Sequence, residues 1–80
     1  MNIKIYTTPT CPYCERAKEL LNSINLEYKE VDVESNPEER VKLIEDYQWM
    51  TVPAVFIDDK LVGGYDDLVK IHSEGKLFTK

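Results

Sequence analysis

A passage near the start of the chain constrains the fold more than any other. Apolar Ile3, Ile5 and Tyr6 surround Lys4, Thr7-Thr8-Pro9-Thr10 breaks the pattern, and Cys11-Pro12-Tyr13-Cys14 then opens an amphipathic run. The first run is short and rich in β-formers, which suits a strand at the centre of a sheet. From Pro12 onward Cys14, Ala17, Leu21 and Ile24 recur at helical spacing, while Glu15, Arg16, Lys18, Glu19 and Asn22 take the other face. That pattern predicts a helix of about 11 to 14 residues. Proline is tolerated in the first turn of a helix, so Cys11 falls at or beside the N-cap with unpaired backbone amides near it.

The rest of the chain builds a sheet around this unit. Leu26 to Val33 reads as a second strand whose alternation slips between Tyr28 and Val31, predicting a bulge or an edge position. Asn36-Pro37-Glu38-Glu39 predicts a helix start, with Asn36 as N-cap and Glu39 three residues after it, and Val41, Ile44 and Tyr47 as the buried face. Thr51-Val52-Pro53 leads into Ala54-Val55-Phe56-Ile57, a continuous apolar run typical of a strand covered on both faces. Asp58-Asp59 turns into Lys60-Leu61-Val62, a hairpin ending at Gly63-Gly64; Asp66 is expected to cap a last helix through Leu68 and Ile71, which Gly75 stops. A parallel crossover followed by an antiparallel hairpin gives an α/β architecture, a mixed four-stranded sheet flanked by about three helices. This is the plan of the thioredoxin-like fold, and 80 residues suit a single domain spanning 1-80.

Charge narrows the function. A net charge of -5 with scattered basic residues makes the phosphate interaction repulsive, so neither nucleic acid nor an anionic membrane is an expected partner. No apolar run approaches the length of a membrane span, and Met1-Asn2-Ile3-Lys4 does not read as a signal peptide, so a cytoplasmic setting is expected. In a reducing compartment two cysteines seldom serve as a structural staple, and a catalytic pair is the better inference.

Two thiols three positions apart at a helix start can share one oxidation equivalent. The positive end of the helix favours a thiolate at Cys11, and a stabilised thiolate leaves readily when a second thiol attacks a mixed disulfide formed there. Cys14, one turn inside the helix on its apolar face, is expected to be buried and to act as the resolving thiol. A zinc site would need about four ligands, and the single histidine, His72, does not complete one. Thus no metal is expected.

Two further segments suit a ligand beside the pair. Proline after Val52 is compatible with a cis peptide, and a turn there facing Cys11 would leave the Val52 backbone free to pair with an extended peptide. Gly63-Gly64-Tyr65-Asp66-Asp67 joins close backbone approach to a helix N-terminus, which suits a carboxylate, while an acidic side chain there can hold an ammonium.

Together Cys11-Pro12-Tyr13-Cys14, Thr51-Val52-Pro53 and Gly63-Gly64-Tyr65-Asp66-Asp67-Leu68, in this order, closely resemble a dithiol glutaredoxin. The resemblance implies a glutathione-disulfide oxidoreductase that uses glutathione as co-substrate, with Cys11 as the nucleophile that becomes glutathionylated and Cys14 as the thiol needed for protein disulfides. It implies glutathione contacts from Tyr13, from Thr51, Val52 and Pro53, from Asp66 and Asp67, and from Arg40 on the second helix. Glutathionylated or disulfide-bonded proteins are the implied partners, ribonucleotide reductase among them, and a monomer is implied. Two positions depart from the family pattern. Thr8 stands where many members carry lysine, and Tyr47-Gln48-Trp49-Met50 replaces a segment that commonly contains Thr-Gly. Alternative readings are a glutaredoxin-like protein driven by a thioredoxin reductase and an iron-sulfur cluster carrier held by Cys11 thiolates of two copies with glutathione.

Overall fold

The computed structural model describes residues 2 to 77. Seven elements follow one another: β1 (Ile3–Thr7), α1 (Pro12–Ser23), β2 (Lys29–Asp32), α2 (Pro37–Tyr47), β3 (Ala54–Ile57), β4 (Lys60–Gly63) and α3 (Tyr65–Ser73). The sheet order is β2-β1-β3-β4, with β1 parallel to β2 and antiparallel to β3, and β3 antiparallel to β4. This is the mixed sheet of the thioredoxin-like fold, with β1 central as its composition predicts.

Alternation along β1 divides the core into two layers, because successive side chains leave a strand on opposite faces. Ile3 and Ile5 join Val55 of β3 under α1 and α3, where Ala17, Leu21 and Leu68 are fully buried. On the other face Tyr6, Ala54 and Phe56 pack with Val33 and Leu43 under α2. The Tyr6 and Phe56 rings lie 5.4 Å apart, and Tyr47 meets Phe56 edge-on at 4.8 Å.

The second strand is shorter than the Leu26 to Val33 run predicts. Leu26 is buried but spends its amide on Leu21 O, closing α1, and the Val33 amide bonds to Thr7 O just past the regular ladder. β2 does lie at an edge, while the ladder irregularity falls between Val55 and Phe56 instead. On α2 the buried residue is Leu43. Val41 is 50% exposed and Tyr47 46% exposed, so the predicted Val41, Ile44, Tyr47 face is corrected to a stripe through Leu43 that brings only part of the Tyr47 ring onto Phe56.

Two caps also differ from expectation. Asn36 occupies the N-cap of α2, but its Nδ2 donates to Asp32 O at 2.9 Å and makes no bond to the first turn. The cap of α3 is Gly64, whose amide donates to the Asp67 carboxylate at 3.1 Å, so the capping role expected of Asp66 belongs to Asp67. Asp58 and Asp59 both take left-handed φ values, 51° and 67°, the backbone that a two-residue hairpin turn requires.

Candidate active site

Cys11 stands at the N-cap of α1 in an extended conformation, with Pro12 opening the helix. Its Sγ accepts a hydrogen bond from the Cys14 amide at 3.1 Å and can donate to the Val52 carbonyl at 3.7 Å. An anion at this sulfur meets an unpaired helix amide and the positive end of the helix dipole. Both cysteines are free thiols; Cys11 is half-buried and Cys14 fully buried. Burial, reinforced by the hydrogen bond to Cys11, pushes the Cys14 thiol up to about 12. The two sulfurs are thereby differentiated as the spacing predicts, one reachable and held against amides, the other protonated and covered.

The Val52-Pro53 peptide is cis, and Pro53 is buried at the head of β3. Because β1 and β3 pair with Tyr6 opposite Ala54, the residues just outside each strand, Thr8 to Cys11 and Thr51 to Pro53, lie beyond the same end of the two central strands. A groove of about 380 Å³ opens there. Tyr13, Thr51, Val52 and Pro53 line it together with Gly64, Tyr65, Asp66 and Asp67. Six of the predicted site residues therefore line one groove, Tyr13, Thr51, Val52, Pro53, Asp66 and Asp67, and Cys11 adjoins it through Val52. Arg40 does not line the groove; it is exposed on α2.

Trp49 completes the groove. Gln48 takes a left-handed φ of 55° at the end of α2 and swings the chain so that the indole reaches Gly64. Its Nε1 is the buried side-chain donor without a hydrogen-bond partner among the described residues. Tyr13 is 52% exposed yet held from two sides, with the Tyr65 ring 5.9 Å away and the Arg16 guanidinium 5.1 Å above it. Gly63 has a φ of 133°, and a Cβ there would collide with the Asp67 carboxylate, so glycine is required for the α3 cap to close against β4.

A polar network on α1, β2 and the end of β1 escapes sequence reading, which puts Lys18 on the solvent face of α1. Lys18 Nζ bridges Glu15 at 2.9 Å and Glu30 at 3.0 Å, and its side chain is only 19% exposed. Glu30 in turn accepts from the hydroxyl of Thr7 at 2.7 Å, and Thr7 is buried. The Glu15 and Glu30 carboxylates hold the Lys18 ammonium well above the usual lysine range. The Thr7 hydroxyl, joined by Lys18, holds Glu30 below the usual carboxylate range. The signal available in the sequence is the four-residue spacing of Cys14 and Lys18 on one helix, which puts them on neighbouring positions.

Among the described residues no group of three or more His, Cys, Asp or Glu side chains is placed to hold a metal ion, and no helix is long and apolar enough to cross a membrane.

A reachable thiol at a helix start, a covered partner one turn inside, and a cis-proline turn facing them define a thiol-disulfide oxidoreductase of thioredoxin-like fold. The glutaredoxin family model matches residues 3–62. Glutaredoxin 3 of Escherichia coli is 42% identical over 76 residues, covering 95% of this chain and 92% of that protein. Glutaredoxin 1 of Rickettsia prowazekii is 46% identical over 77 residues, covering 94% and 81%. Among solved structures, the Brucella melitensis glutaredoxin superposes with a TM-score of 0.81 at 43% identity, covering 95% of this chain and 83% of that one. The buckwheat glutaredoxin-glutathione complex superposes with a TM-score of 0.86 at 28% identity, covering 94% and 71%. The chain belongs to the glutaredoxin family.

Proposed function

We propose that residues 1-80 act as one domain, a glutathione-dependent disulfide oxidoreductase with Cys11 as nucleophile and Cys14 as resolving thiol. On a protein-glutathione mixed disulfide, the Cys11 thiolate attacks the glutathione sulfur and the protein thiol leaves. A second glutathione thiolate then attacks the glutathione sulfur bound to Cys11, releasing oxidised glutathione and the Cys11 thiolate. On a protein disulfide, Cys11 forms the mixed disulfide and Cys14 attacks the Cys11 sulfur; the reduced protein leaves, and two glutathione molecules reopen the Cys11-Cys14 bond.

The observation that carries this reading is the Cys14 amide aimed at Cys11 Sγ at 3.1 Å, beside the carbonyl of Val52, a residue that lines the groove. The Val52 backbone is suited to pair with the cysteinyl part of glutathione. The α3 start, with Asp66 and Asp67, is assigned to its γ-glutamyl end, and Tyr13, Thr51 and Pro53, which line the same groove, to the rest of the tripeptide. Arg40 serves the glycine carboxylate by reach from α2. The buckwheat complex supports glutathione as the ligand of this fold. Disulfide-bonded proteins such as ribonucleotide reductase are proposed as partners, with the protein acting as a cytoplasmic monomer, and these finer assignments rest on family membership.

The deciding measurement is reduction of a small glutathione mixed disulfide coupled to glutathione reductase. Turnover that requires glutathione is expected; a wild-type protein inert in this assay but active with thioredoxin reductase would overturn the reading.

A further inference from the structure

We propose that Lys18 is a positioning residue for the dithiol step: its ammonium, fixed by Glu15 and Glu30, makes the buried Cys14 competent to attack Cys11. The inference rests on the assignment of Cys14 as resolving thiol given above.

Cys14 has no solvent contact, and burial disfavours the thiolate that must do the attacking. In the resting protein the neighbouring Cys11 sulfur adds to that penalty. Once Cys11 is tied into a mixed disulfide it carries no charge, and this part of the penalty disappears. What then favours a thiolate at Cys14 is the backbone amide of Thr8 and the positive charge of Lys18.

The charge is held in place by more than chance contact. Lys18 follows Cys14 by one helical turn, so the two side chains leave neighbouring positions on α1. Its side chain is four-fifths covered, and its Nζ is pinned from two directions at 2.9 and 3.0 Å. The second of these anchors, Glu30, is itself fixed at 2.7 Å by the buried hydroxyl of Thr7, the last residue of β1 before the loop that carries Cys11. Strand, edge strand and helix thus converge on one ammonium, carried one helical turn after Cys14. A lysine free in solvent would sample many positions and be screened by water; this one holds its charge in a fixed place.

The step balances without an added oxidant. Cys14 gives up its proton, its thiolate attacks Cys11 Sγ, the bond from Cys11 to the glutathione sulfur breaks, and the departing glutathione thiolate takes up a proton, so one thiol is consumed and one is released.

The experiment loads reduced protein with oxidised glutathione and follows release of glutathione on ring closure by rapid acid quench and mass spectrometry. Lys18→Met is expected to slow closure about tenfold, the size associated with removing one neighbouring charge from a buried ionisable group. Lys18→Arg, which keeps the charge, is expected to stay within about threefold of wild type. Lys18→Gln provides a second neutral variant should the methionine protein fail to fold. Folded neutral variants that close at the wild-type rate, with only their urea midpoints lowered, would reduce Lys18 to a tie between α1 and β2 and overturn the proposal. Absence of closure in the wild type itself would instead overturn the role of Cys14.

Discussion

The Val52 carbonyl oxygen lies 3.7 Å from Sγ of Cys11, although 41 residues separate them in the chain. The pairing of β1 with β3 makes this contact, and it sets the nucleophile beside backbone that an extended ligand can use. Cys11→Ser is accordingly expected to reduce both mixed-disulfide and protein-disulfide turnover to background. Cys14→Ser is expected to remove protein-disulfide reduction while a mixed-disulfide activity persists. Equal loss of both activities in the Cys14 variant would contradict the division of labour between the two sulfurs.

Burial of Cys14 makes a direct chemical prediction. With its thiol pushed up to about 12, Cys14 is protonated and covered at neutral pH, while Cys11 is reachable. Brief treatment of the native protein with iodoacetamide should give one adduct, on Cys11, and a second only after unfolding. Peptide mapping decides between this and random labelling.

Gly63→Ala tests the junction of β4 and α3. The added Cβ collides with the carboxylate that caps the helix, and the backbone sits at a φ of 133° that side chains rarely adopt. A loss of about 1–3 kcal/mol in urea unfolding is expected. Gly64→Ala, where a Cβ would meet its nearest neighbours at 3.5 and 3.7 Å, should cost clearly less.

Trp49 is the single tryptophan of the chain and lines the groove. Its emission is therefore expected to shift or quench on saturation with S-methylglutathione, and the change should be absent when denatured protein is titrated. An unaltered spectrum with binding proven by calorimetry would move the ligand away from the indole.

Glu30 gives a pH signature. Its folded-state affinity for a proton is lowered, first by the Thr7 hydroxyl and then by Lys18. Its contribution to stability is thus present above the ordinary glutamate range near about 4.3 and is lost as pH falls through the lower folded value. The urea midpoints of wild type and Glu30→Gln should differ at pH 6 and converge at acid pH. The gap should be modest, because the Glu30 side chain is 38% exposed. A gap that widens on acidification would reverse the assigned sign.

Element order, the central place of β1, the hairpin at Asp58-Asp59 and the unlike thiols were legible in the sequence, because each is written in local spacing. Tertiary choices were not. Val41, Ile44 and Tyr47 look like one helical face, yet α2 meets the sheet through Leu43 and leaves Val41 half exposed. Asp66 and Asp67 are equivalent as candidate caps until Gly63 sets the approach of the strand and lets Asp67 reach back. Lys18 reads as a solvent residue because the helical pattern says nothing about Glu30, a carboxylate on a strand that had to be placed beside β1 first.

The sheet's outer strands are four residues each, and both carry charge: Lys29, Glu30 and Asp32 on β2, Lys60 on β4. The most apolar strand, Ala54–Ile57, has a hydrogen-bonded neighbour on either side. A second chain seeking to extend the sheet therefore meets short, hydrated edges in place of a template. For a protein that must hand disulfides to other chains, this separates the chemistry of making a covalent link from the hazard of remaining stuck to what it touches.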